Sequence, residues 1–138
     1  MIAEDALDPV QQAVYDVLAA DAVLEGLGCT IWDEVPEGTP RPYIVLGESM
    51  ETPDRDLATH GRQTVETLHI WSKKRGMTET KLIMARVQAL LDHQPLTIAG
   101  HRHIVTRWEF GQTLRDPEPG IRHGVTRFRI ITEQEISP

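Results

Sequence analysis

Three prolines within seven residues, in Pro36-Glu37-Gly38-Thr39-Pro40-Arg41-Pro42, set the tightest limit on how this chain can fold. Proline has no amide hydrogen to give a sheet ladder, so the segment reads as a stiff connection between two separate strands. Before it, residues 30–35 carry Ile31, Trp32 and Val35 and form a short extended run. After it, Tyr43-Ile44-Val45-Leu46 is apolar and β-branched, as a buried strand requires. Upstream, Val10, Ala13, Val14, Val17 and Leu18 recur at helical spacing behind Asp8-Pro9, an N-cap with proline at the first helical position. That helix is expected to end near Ala20, with Val23, Leu24 and Leu27 packing as the chain approaches Gly26 and Gly28.

Residues 48–62 are polar, with Met50 and Leu57 as the large apolar exceptions, and read as a long loop of the kind that is either functional or disordered. Residues 65–71 form a strand that is partly apolar on both faces, hence central in its sheet. A basic turn over residues 72–76 leads to a second helix with Thr78 as N-cap. Its buried face is Leu82, Ile83, Val87, Leu90 and Leu91, Glu79 and His93 suit the helix dipole, and Pro95 ends it. Residues 96–98 and 103–110 flank Ala99-Gly100 as a tight hairpin. In the second of these, Ile104, Thr106, Trp108 and Phe110 alternate with Val105, Arg107 and Glu109. After the turn Asp116-Pro117-Glu118-Pro119-Gly120 comes a last strand with Arg127 and Arg129 on one face and Phe128 and Ile130 on the other. Residues 133–138 are expected to fray.

The order is helix, two strands, a loop, strand, helix, three strands. Without βαβ alternation it predicts an α+β fold, a mainly antiparallel sheet with two helices packed on one face. At 138 residues the chain is expected to be one domain over 1–138, with its core in about 10–132. No apolar run reaches the roughly 20 residues that cross a membrane, and the acidic start lacks the pattern of a signal peptide, so the chain is expected to stay in the cytoplasm where it is made. Fourteen basic against twenty-one acidic residues give a net charge of −7, which argues against specific DNA or RNA binding. The acidity serves solubility, or a wall past which nucleic acid slides without sticking. The lone Cys29 excludes an internal disulfide and a cysteine-based zinc site and reads as a small buried hydrophobe.

Reactive groups do not converge. His101 and His103 share strand spacing but have no third ligand nearby, and read as a solvated pair at a hairpin edge. His69, between Leu68 and Ile70, is expected to be packed and hydrogen-bonded. The carboxylate pairs Asp33/Glu34, Asp54/Asp56 and Asp116/Glu118 lie beside prolines and glycines, as solvated surface does. No nucleophile elbow or phosphate loop is present, so no enzyme, cofactor or metal signature is read. What remains is two segments of mixed charge: Glu51, Asp54, Arg55, Asp56 and Arg62 in the first, Arg115, Asp116, Glu118 and Arg122 in the second. Mixed signs suit surfaces that pair with copies of themselves or with partners, and equally suit plain solvated loops.

Taken in order, several pieces resemble one family, the tail-completion (tail-terminator) proteins of long-tailed bacteriophages. They are Leu24-Glu25-Gly26-Leu27, the Ile31-Trp32 strand, the turn from Val35 to Pro40 into Pro42-Tyr43-Ile44-Val45-Leu46-Gly47, Leu68-His69-Ile70-Trp71-Ser72 with the exit Lys74-Arg75-Gly76, Leu114-Arg115-Asp116-Pro117, and His123-Gly124-Val125. The resemblance implies a structural virion protein at the head–tail junction, with no catalytic residues. It implies a ring homo-oligomer, typically of six copies, that caps the tail tube protein and meets the head connector or stopper protein. Genomic DNA would pass through without specific binding. The nine charged residues named above are the expected interface. A related neck component is the nearest alternative. A small cytoplasmic enzyme or ligand-binding domain is the other, and would need a concave pocket holding His69, Trp71 or Trp108.

Overall fold

The computed structural model describes residues 2–54 and 60–135. Among them the elements run α1 (Leu7–Ala19), α2 (Ala22–Gly26), β1 (Thr30–Trp32), β2 (Tyr43–Asp54), β3 (Gly61–Ser72), α3 (Thr78–Leu91), β4 (His101–Arg115) and β5 (Arg122–Gln134). The strands form one sheet in the order β1-β2-β3-β5-β4, antiparallel except for the parallel β1–β2 pair. This is the expected α+β arrangement. The α1 helix lies over β1, β2 and β3, and α3 over β3, β5 and β4, so one face of the sheet is covered.

Between these layers sits the core. Val10, Ala13, Val14 and Leu18 of α1 and Ile83, Val87 and Leu91 of α3 meet Ile44, Leu46, Leu68, Ile70, Phe128 and Ile130 of the sheet. Leu82 points to solvent instead, 54% exposed, and Thr80 takes a buried place on α3. Helix α1 starts one residue before the expected cap, and Asp8 makes no side-chain cap bond. Pro9 is still tolerated, because the first turn's amides have no intrahelical partner to lose. The short α2 was not expected; Asp21 caps it by accepting from the Leu24 amide at 3.0 Å. Arg86 of α3 donates to both oxygens of the same carboxylate, at 2.6 and 3.0 Å, and holds its pKa below the usual range.

Several expectations are corrected by the sheet. Residues 48–54 and 61–62 are strand: β2 and β3 pair out to Asp54 and Gly61. These strand ends run past the helical cover, so their side chains are half solvated and carry no apolar pattern to read. Residues 112–115 and 122 are strand as well, where β4 and β5 pair out to Arg115 and Arg122. Residues 96–98 contribute only a bridge from Ile98 to His101, across a turn in which Gly100 takes the left-handed conformation (φ 76°). Residues 33–35 do not continue β1. At the other terminus Glu133 and Gln134 belong to β5 and do not fray: Gln134 donates to the Ile2 carbonyl at 2.7 Å and accepts from the Glu4 amide at 2.9 Å. Residues 136–138 lie outside the described residues.

Bulges decide which side chain faces where. In β2 an extra residue between Leu46 and Ser49 places Gly47 against the His69 ring. A Cβ there would lie 2.6 Å from His69 Cδ2 and 2.9 Å from the Thr67 carbonyl oxygen. Because one neighbour is backbone, Gly47→Ala is expected to cost about 1–3 kcal/mol in urea unfolding. A neutral result would mean that the bulge relaxes freely. Two further bulges in β4, at His103/Val105 and Trp108/Phe110, break the alternation expected for that strand. Thr106 and Trp108 stay on the helix side, whereas Phe110 turns to the uncovered face.

Candidate assembly surface

Among the described residues no helix covers the other face of the sheet. On it stand Val65, Thr67, His69 and Trp71 of β3, and in register beside them Arg129, Arg127, Val125 and His123 of β5. A row of polar and aromatic groups crosses this face. Glu48 Oε1 lies 3.1 Å from His69 Nε2, and His69 Nδ1 lies 2.8 Å from His123 Nε2. His123 in turn stacks on Trp71 with ring centroids 3.9 Å apart and planes 7° from parallel. Burial, with His69 beside it, keeps the His123 imidazole below its usual pKa. Glu48 is held below the usual carboxylate range first by its own backbone amide and then by His69. His69 is therefore packed and hydrogen-bonded, as its sequence context predicts.

Next to this row, Arg129 donates to Glu109 and to Gln63, the latter at 2.9 Å, and Arg127 lies over the Phe110 ring at 5.3 Å. Glu48, Met50, His69, Glu109, Arg127 and Arg129 frame an open depression of about 430 Å³. It is shallow and charged at its rim. Trp108 is on the opposite face, donating from its indole to Thr126 at 3.1 Å, so it shares no pocket with His69 and Trp71.

The expected charged residues separate into two groups at opposite ends of the sheet. At one end Glu51 accepts from the Ala6 amide through both oxygens, at 3.1 and 3.2 Å, and pairs with Arg62 at 3.0 Å. Both are thus engaged in holding the start of α1. Asp54 is buried beside them, and Arg55 and Asp56 lie outside the described residues. At the other end Arg115 and Arg122 stand opposite each other across the β4–β5 pair. Asp116 turns the chain there, accepting from the Glu118 amide at 2.9 Å, while Glu118 itself is exposed. The gap from Gly61 to Ser72 along β3, eleven residue steps, sets these ends about 36 Å apart.

Among the described residues no three histidine, cysteine, aspartate or glutamate side chains come together to hold a metal ion. His101 and His103 do not form a solvated pair: His101 is buried, and His103 is half-buried with Nε2 2.7 Å from the Thr106 hydroxyl. Burial lowers the His103 pKa and pushes the Cys29 thiol up to about 12, consistent with a packed, unreactive sulfur. Sequence reading missed Glu48, Glu109 and the arginines of β5 as a group. Their one signal was the alternation of Arg127 and Arg129 with Phe128 and Ile130.

A family model described as tail completion protein gp17 matches residues 12–133. A curated relative, the tail completion protein gp17 of Bacillus phage SPP1, is 27% identical over 122 residues, which is 87% of this chain and 89% of the relative. A chain in the virion of a native gene transfer agent particle superposes with a TM-score of 0.85 at 25% identity, over 93% of this chain and 97% of that one. The structure of the SPP1 gp17 protein superposes with a TM-score of 0.61 at 22% identity, over 89% and 88% of the two chains, and shows the same fold.

Proposed function

Because this chain belongs to the tail completion protein gp17 family, a structural family of virions and not of enzymes, we propose that it caps the tail tube as a ring and joins the tail to the head connector. The observation that carries this reading is the near-complete likeness to a chain of an assembled gene transfer agent virion, over 93% of one and 97% of the other. Six copies are the expected number, closed head to tail without leaving a sticky end. The whole chain acts as one domain in this role. DNA passes the ring without specific contacts, and a net charge of −7 per subunit disfavours adhesion of the passing phosphates.

Two charged ends of the sheet suit two partners. The end with Glu51, Asp54 and Arg62 faces one neighbour, with Arg55 and Asp56 as further expected contacts, and the end with Arg115, Asp116, Glu118 and Arg122 faces the other, one being the tail tube and the other the connector or stopper. The test is the mass of the purified protein by light scattering, with negative-stain images of the same peak and of its mixture with tail tubes. A six-fold ring, alone or seated on tube ends, is the expected result. A compact dimer that leaves tube ends bare would overturn the reading.

A further inference from the structure

We propose that the subunits join by continuing the sheet, the open end of β4 on one copy receiving β1 of a second copy, with opposite charge selecting that seam. Such a seam presupposes the ring proposed above. Charge is the first observation behind it. Residues 1–40 hold nine aspartates and glutamates and no lysine or arginine, whereas residues 101–135 hold six arginines against five acidic side chains. Strand order puts β1, in the first of these segments, and β4, which carries Arg102, Arg107 and Arg115 of the second, at opposite margins of the sheet, four inter-strand steps or about 19 Å apart.

At the β1 margin, Asp8, Tyr15, Trp32, Asp33 and Glu34 line an open groove of about 370 Å³ between α1 and β1. All three carboxylates are exposed, and the two aromatic rings offer a floor on which a guanidinium can lie. At the β4 margin, Arg107 and Arg115 are exposed and have no ion-pair or hydrogen-bond partner among the described residues. The β1 margin therefore offers exposed carboxylates and the β4 margin two unpaired guanidinium groups.

Register is the second, independent observation. Pairings run straight across the sheet from Trp32 through Val45, His69 and Val125 to Gln112, and from Thr30 through Tyr43, Trp71 and His123 to Leu114. So β1 is level with residues 112–114, and the two strands run in opposite directions. A second copy set beside the first, with its strands in the same direction, would bring its β1 against this part of β4 as an antiparallel pair.

Edge cover is the third. The exit turn of α3 occupies the free edge of β4 higher up: the His93 amide donates to the Thr106 carbonyl at 2.8 Å, and Asp92 accepts from the Trp108 amide at 2.9 Å. From Phe110 to Arg115 no described residue bonds that edge, and the exposed Phe110 and Leu114 flank it, at 37% and 38%. Of the stretches that this turn leaves open, 110–115 is the one level with β1. An unpaired edge of this kind is a template for an added strand.

The test uses two charge-reversed chains, Arg107→Glu/Arg115→Glu and Asp33→Arg/Glu34→Arg, with thermal melting to confirm that each folds. Sedimentation velocity at low salt is expected to show the wild type associating, more weakly as salt rises, and each variant losing at least about tenfold in apparent affinity. Mixing the two variants in equal amounts is expected to restore association, because both kinds of margin then meet their opposite. Rings that form from each variant alone, or a mixture no better than its parts, overturn the seam and leave the tail-capping reading standing. A wild-type chain that stays monomeric at low salt also overturns it, and the capping of tail tubes then tests the function independently.

Discussion

Glu66→Gln is expected to stabilise the protein at pH 8 by about 3 kcal/mol, raising its melting temperature by several degrees, and to change little near pH 4.5. Glu66 lies on the helix side of β3 and is 1% exposed. The Ser49 hydroxyl donates to its Oε1 at 2.7 Å, and its Oε2 has no hydrogen-bond partner among the described residues. Burial pushes its pKa from 4.5 up to about 7, against a smaller opposing pull from Ser49. The folded chain thus keeps a proton that the unfolded chain releases near pH 4.5. Stability therefore falls as pH rises through the window between about 4.5 and 7, and the loss is complete above it. Glutamine has the shape of the protonated acid and no proton to lose. Melting curves of both proteins at pH 4.5, 6 and 8 would check this. A variant less stable at pH 8, or equally shifted at every pH, would mean that Glu66 is not a buried, strained carboxyl.

Phe128→Ala should be the most damaging single truncation in the sheet, costing about 3–5 kcal/mol. The ring is fully buried on the helix side of β5, where its register partners are Glu66 on one strand and Trp108 on the other. Removing it opens a cavity beneath both, and the surrounding strands are pinned by their ladders and cannot close it. Phe110→Ala is the control, since that ring is on the uncovered face and half in solvent. It should cost about 1 kcal/mol or less in the same urea titration. Equal losses for the two would mean that the uncovered face contributes as much packing as the core.

Where an element is covered by another, its pattern was plain in the sequence. The stripe Val10, Ala13, Val14 and Leu18 and the alternation of Phe128 and Ile130 with arginines both follow from one-sided burial. Where the sheet outruns its helices, that pattern vanishes, and residues 48–54 resembled a loop although backbone pairing holds them as strand. Bulges were illegible for a different reason: one extra residue reverses a face without changing composition, as at Glu109 in β4. The assembly surface suffered from the same limit. Its polar row joins Glu48, His69, His123 and Trp71 from three strands, and no local spacing announces contacts made between positions 21 to 54 residues apart. Glu66 gave no signal either, because one acid within an apolar run does not say which way it points.

The α3 exit turn that caps Thr106 and Trp108 has a consequence for how the subunit is stored. A fifteen-residue edge strand left fully open would recruit any passing chain, and the same backbone groups that would join a second copy can also build fibrils. With its middle masked by Asp92 and His93, β4 presents two short open stretches in place of one long one, the second ending in a charged Arg115. Longevity as a dispersed precursor and adhesion on demand are then set by how much edge that turn hides. Asp92 is where aggregation resistance would be exchanged for faster assembly.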